Sequence, residues 1–384
     1  MTLSEKYVSE LCKKSFLPFW SFPNPLAKDG KELCDVLVVC GNDIVIISIK
    51  DIKPSNHPNE LVQYERWLKR AISNSVDQIY GAERFLKMVD EIIIHDRRTA
   101  IKLPPKEQRS IFRIAIAFGR KGNFPLKTGD FGHGFVHVFD EESTFTVFDE
   151  LDTFPDFINY LRAKEQFLST RTILVPKEVD FLALYLQTSF DFGVNPNLIT
   201  IDSNLWAEYK KSEEYAQWRE DTKKSYIWDE FIIQLYRIHV EENSVTDRNN
   251  LEVATRVINL ETRINRIELG MMLEDALNKK LQARMIKQPE SDHSYIIMPL
   301  SPKNWKNKEN ELQLRCLVAR KENPDAPKVI GIAIGNSPDG ELMFDIAYFD
   351  IPELSEEFTE KIEDIKNKLG YFKNPVITQS KDIH

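Results

Sequence analysis

The chain has 384 residues, enough for two or three domains with a core each, and its apolar (42%) and charged (29%) fractions exclude a disordered or fibrous protein. No apolar run approaches the length of a membrane span, and an N-terminus carrying Glu5 and Glu10 does not read as a signal peptide. The formal charge is −9, which argues against a polyanionic partner for the chain as a whole; yet residues 1–150 carry 21 basic and 21 acidic side chains, so the acidic excess lies entirely beyond them.

In chain order, Thr2-x-x-Glu5 is a capping box opening an amphipathic helix whose apolar face is Tyr7, Val8, Leu11 and Cys12. Two β-branched runs, Val36–Val39 and Ile44–Ile49, flank Gly41-Asn42-Asp43 and predict a hairpin. A two-residue turn at Gly41-Asn42 sets Asp35 opposite Ser48; a turn at Asn42-Asp43 sets it opposite Lys50. Either register puts Asp35, Ser48 and Lys50 on one face, with Asp51 on the other. A charge on an apolar strand is costly unless paired or metal-bound, so Asp35 and Lys50 are either a structural ion pair or a hard-cation site with an ammonium beside it.

A helical stretch follows from Asn59 to about Val89, containing Gln63-Tyr64 and Asp77-Gln78-Ile79-Tyr80. Ser110–Gly119 reads as a buried central strand, Gly134–Phe139 and Phe145–Phe148 as short strands, and Phe154, Phe157, Ile158 and Leu161 as the stripe of a helix closing a first domain. His133 and His137 share a parity but lack a third ligand nearby, so ordinary packed or surface histidines are expected. Basic clusters recur at Lys13-Lys14, Arg66/Lys69/Arg70, Arg97-Arg98, Lys102/Lys106/Arg109 and Arg120-Lys121. Folding would have to gather them for them to track a phosphate backbone.

Helices are predicted over Asp180–Phe190, Leu205–Tyr226, Asp229–Glu242 and Leu251–Lys287, rich in aromatics whose helical spacing suits packing better than base stacking. After a linker at Gln288–His293, four β-like runs (Tyr295–Pro299, Leu314–Ala319, Val329–Gly335, Leu342–Phe349) and a helix, Glu356–Leu369, predict an antiparallel meander with one covering helix. Cys12, Cys34, Cys40 and Cys316 show no paired spacing, which predicts reduced thiols in a cytoplasmic setting.

An acid, then x-x-Lys across a hairpin, after a helix and before another carrying a Gln, resembles the PD-(D/E)xK nuclease superfamily over roughly Thr2 to Gly119. The resemblance implies an α/β, restriction-endonuclease-like mixed sheet flanked by helices in a domain spanning residues 1–170, ahead of the helical region 171–288 and the small α+β domain 289–384. It further implies a Mg²⁺- or Mn²⁺-dependent endonuclease acting on DNA, in a setting such as bacterial defence against foreign DNA. Asp35 matches the metal-binding acid, Lys50 the catalytic lysine, Gln78 (over Gln63) the glutamine of the following helix, and Glu5 the first-helix glutamate. Ser48 departs from the pattern, standing where the family has Asp or Glu. Glu32 is then the preferred second carboxylate, ahead of Asp51. The second reading is a catalytically inactive nuclease-derived scaffold that binds nucleic acid or protein. No membrane partner is expected, and the C-terminal half is free to serve a homo-oligomer or a partner protein.

Overall fold

The computed structural model describes residues 1–27, 30–122, 124–170, 172–174, 177–192, 198–200, 203–241, 248–301, 305–336 and 342–372. Contacts divide the chain into two units, Met1–Ile267 and Glu268–His384.

The first unit is built on a mixed sheet of six strands. Helix α1 (Leu3–Phe16) opens with the expected capping box, Glu5 N donating to Thr2 Oγ1 and Thr2 N to Glu5 Oε2. The strands are β1 (Ser21–Pro23), β2 (Val36–Cys40), β3 (Asp43–Asp51), β4 (Ser110–Phe118), β5 (Gly129–Asp130) and β6 (Phe135–Phe139). They lie in the order β1-β2-β3-β4-β6-β5. The β1–β2, β2–β3 and β5–β6 pairs are antiparallel, whereas β3–β4 and β4–β6 are parallel. Parallel neighbours need a crossover, and the helical stretch between β3 and β4 supplies it. That stretch is α2 (Glu60–Trp67), a π turn (Leu68–Ser73) and α3 (Asn74–Met88). Its apolar stripe, Trp67, Ala71, Ile72, Val76, Ile79, Ala82 and Leu86, closes over Leu37, Val39, Ile44, Ile46, Ala115 and Ala117. Strand alternation turns Val36, Val38, Val45, Ile47 and Ile49 to the opposite face, and α1 packs against β1, β2 and β3. Of its expected stripe Val8, Leu11 and Cys12 are buried, while Tyr7 stays exposed.

Several expectations are corrected here. Phe145–Phe148 is not a strand but part of α4 (Glu141–Glu150), because Asp140 and Ser143 form a buried capping box that starts a helix. Leu205–Tyr226 is not one helix: Ser212 caps a new one, Glu213–Thr222, after the short helix Leu205–Tyr209. The stretch Leu251–Lys287 likewise breaks into Arg248–Asn259, Arg263–Asn278 and a strand, Arg284–Ile286. The helix with the phenylalanine stripe, α5 (Phe154–Thr170), forms as expected. Phe181, Tyr185, Trp206, Tyr209, Trp228 and Phe231 are all buried, so they are packing residues rather than stacking platforms.

The second unit holds a sheet of four strands, β7 (Arg284–Ile286), β8 (His293–Pro299), β9 (Lys328–Asn336) and β10 (Leu342–Asp350), in that order. It is not an antiparallel meander: β8 and β9 are parallel, joined through the helix Lys308–Glu322. That helix contains Leu314–Ala319, read from sequence as a strand. Leu312, Cys316 and Ala319 recur with helical spacing and are buried against the sheet. Gly331 permits this packing, since a Cβ there would lie 2.5 Å from Cys316 Sγ. No helix among the described residues is long and apolar enough to cross a membrane.

Candidate functional site

The hairpin register decides which side chains meet. Cys40 pairs with Asp43, so Gly41-Asn42 is the turn, and Gly41 takes φ +58°, a conformation natural to glycine at the first turn position. Val36 pairs with Ile47, which sets Asp35, just ahead of β2, opposite Ser48. Asp35, Ser48 and Lys50 then share the α3-facing side of the sheet with Leu37, Val39, Ile44 and Ile46.

At this sheet end the structure brings four residues together. Asp35 is 4% exposed, and its Oδ2 accepts from the backbone N of Ile49 at 2.5 Å and lies 3.8 Å from Lys50 Nζ. Lys50 Nζ donates to Gln78 Oε1 at 3.0 Å, and Ser48 Oγ donates to the same oxygen at 2.8 Å. Burial pushes the Asp35 carboxyl up to about 6, against the Ile49 N–H and Lys50, which both favour its charged form; a hydrogen bond with Glu32 adds to the rise. Lys50 keeps part of its side chain in solvent, at 29% exposure. Ala115 and Ala117 of β4, both buried, are the register partners of Ser48 and Lys50.

Other expected residues are placed differently. Glu32 borders the site, touching Asp35 and accepting from Asn24 Nδ2 at 2.7 Å. Asp51 faces away and accepts from Ser4 Oγ of α1 at 2.6 Å. Glu5 is spent on its own helix cap and is not brought to Asp35. Gln63 accepts from Lys121 and donates to His57 O, so Gln78 is the glutamine at the site. His133 is exposed, and His137 is buried with Nε2 3.0 Å from Glu165 Oε1, burial keeping it neutral; the two do not converge.

Asn24 is the participant that sequence reading missed. It sits between Pro23 and Pro25 with φ +47°, and its backbone N donates to Asp35 O at 3.0 Å. Only the flanking prolines hinted at a fixed turn. Its Oδ1 is enclosed and has no hydrogen-bond partner among the described residues.

Among the described residues no group of three or more His, Cys, Asp or Glu side chains is placed to hold a metal ion, so the three-acid set Asp35, Glu32, Glu5 is not assembled. Asp35 and Glu32 are nonetheless two adjacent carboxylates, an oxygen donor pair. Mg²⁺ accepts one or two carboxylates, with water in the remaining positions.

Basic groups near the N-terminal half divide in two. Lys14, Lys106 and Arg120 pair with Asp149, Asp90 and Asp140, and Arg109 binds backbone carbonyls. Arg66, Lys69 and Arg70, on the helical stretch leading to α3, are exposed and have no such partner among the described residues. A cavity of about 390 Å³ lies elsewhere in this unit, lined by Arg120, Asp140, Lys164 and Glu178. Its charges neutralise one another as Arg120–Asp140 and Lys164–Glu178 pairs, so it is built for structure. Compared with family models, curated proteins and solved structures, the chain matches none.

Proposed function

We propose that this sheet end is the site of a divalent-cation-dependent phosphodiesterase acting on DNA, on a sheet of restriction-endonuclease-like type. The observation that carries the reading is a buried Asp35 beside a partly exposed Lys50 at the open end of a hairpin, with Gln78 reaching in from the crossover helix. Asp35 and Glu32 would hold the cation, which when bound supplies Lewis acidity and a more acidic water. The chain's own groups do the rest. Lys50 offers positive charge where a phosphodiester gains negative charge, and its contact with Gln78 fixes the ammonium in place. The Ile49 N–H orients the Asp35 carboxylate. Arg66, Lys69 and Arg70, exposed and without an acidic partner among the described residues, suit a salt-sensitive hold on a phosphate backbone.

The test is cleavage of DNA by purified protein with Mg²⁺ or Mn²⁺, expected to be lost in both Asp35→Ala and Lys50→Ala. Activity that survives both substitutions removes the reading. One observation favours a second: Ser48, wholly buried and neutral, supplies no charge to a metal. A domain that binds nucleic acid without cutting it would show DNA binding indifferent to Mg²⁺ and no product under either metal.

A further inference from the structure

Lys50 can only donate, and this fixes which way up the Gln78 amide lies. Its ammonium is 3.0 Å from Gln78 Oε1, and Ser48 Oγ is 2.8 Å from the same atom. An amide nitrogen in that place would set donor against donor, so oxygen must face the strand. The other end of the amide, Nε2, therefore points away from both. Among the described residues it has no partner, and it is not enclosed.

We infer that Gln78 Nε2 donates to a phosphate oxygen of a bound DNA strand beside Lys50, and that Ser48 is the positioning residue holding the amide in that orientation. The inference rests on the phosphodiester reading of the site and gives it a substrate contact. A phosphodiester presents acceptors only, and a neutral N–H next to an ammonium matches two of its oxygens. Ser48 also gains an explanation. A carboxylate at that position would take Lys50 for itself and leave the amide free to turn over. The serine, as a second donor, clamps Oε1 inward instead.

The experiment uses the full chain and a short fluorescein-labelled DNA duplex in Ca²⁺, read by anisotropy, with thermal melts to check folding. Gln78→Met removes the donor without adding charge, and Gln78→Glu keeps the inward oxygen but replaces the donor. Both are expected to weaken binding about tenfold, the loss of one hydrogen bond to a charged partner. Asn74→Asp, which places a charge one turn earlier on the exposed surface of the same helix, should change binding less than about twofold. Ser48→Ala should weaken binding roughly threefold alone and add nothing to Gln78→Met, because it acts through the amide. A merely structural serine would give additive losses.

Wild-type affinity in Gln78→Met, equal weakening by Asn74→Asp, or additivity with Ser48→Ala overturns the inference. A wild type that binds the duplex but never cleaves it sinks only the enzymatic reading, and the Gln78 comparison still decides the contact. A wild type that does not bind the duplex overturns both.

Discussion

At the residue scale, Asp35 trades stability for availability. Its carboxyl sits at about 6 because burial penalises the charge more than Ile49 N–H and Lys50 reward it. The folded chain thus holds this proton more tightly than the unfolded chain. Stability from this group is fully present at acid pH and falls as pH climbs from about 4 through 6, with a penalty of at most ~3 kcal/mol above. Asp35→Asn should therefore raise the melting temperature at pH 8 by roughly 2–6 °C, and by less at pH 5. Melts across that range check this; an unchanged or lowered Tm at pH 8 would mean the carboxylate is not strained. Lys50 leans towards Gln78 at 3.0 Å rather than Asp35 at 3.8 Å, which keeps the ion pair loose enough to be opened by a ligand.

At the scale of elements, three local devices aim the site. The two-residue turn at Gly41-Asn42 fixes the hairpin register. The π turn over Leu68–Ser73 adds a residue to the helical repeat, rotating α3 relative to α2 so that Gln78 faces β3 while Trp67 still reaches the core. Gly119 ends β4 with φ +80°, against the chain leaving β3: a Cβ there would lie 2.8 Å from Ile52 O. Gly119→Ala should cost about 2–4 kcal/mol, since it meets both a strained conformation and immovable backbone. Chemical denaturation measures it; a loss under about 1 kcal/mol would show that the strand end yields easily. Asp140→Ala, removing both the buried cap of α4 and the partner of Arg120, should cost about 2–4 kcal/mol by the same measurement.

At the scale of the molecule, each unit has its own fastening. In the first, Arg263 is buried and joins Asp152 and Asp229, while its backbone N donates to Asp156; Arg266 shares Asp229. These contacts tie the start of α5 and the helix around Asp229 to Arg263 and Arg266, all within Met1–Ile267. Asp152 and Asp156 are pushed up by burial, yet the guanidinium groups pull them back towards the charged form. Arg263→Met should cost about 3–5 kcal/mol, because it strands the buried acids. In the second unit, Gly331→Ala would separate the helix Lys308–Glu322 from β9. Amide exchange is the discriminating measurement: Arg263→Met should lose protection within Met1–Ile267, and Gly331→Ala within Glu268–His384. Loss spread evenly over both units by either change would refute separate fastening.

What the amino-acid order determined alone was local. The β-branched runs around Gly41-Asn42-Asp43 specify a hairpin, and with either two-residue turn alternation places Asp35, Ser48 and Lys50 on one face; a three-residue loop would have broken that alignment. Thr2-x-x-Glu5 specifies a helix start, and the stripe from Phe154 to Leu161 a helix. What needed the tertiary structure was everything set by long-range contact. Phe145–Phe148 and Leu314–Ala319 are apolar windows too short to reveal their period, and buried caps and facing sheets made them helical. Glu5 and Asp51 lie near Lys50 in pattern but were committed to a cap and to Ser4. Gln78 won over Gln63 because a π turn, invisible as a spacing, set the phase of the helix. Asn24 joined the site from a loop no periodicity describes. A side chain's face is a property of its neighbours in sequence; its partners are a property of the fold.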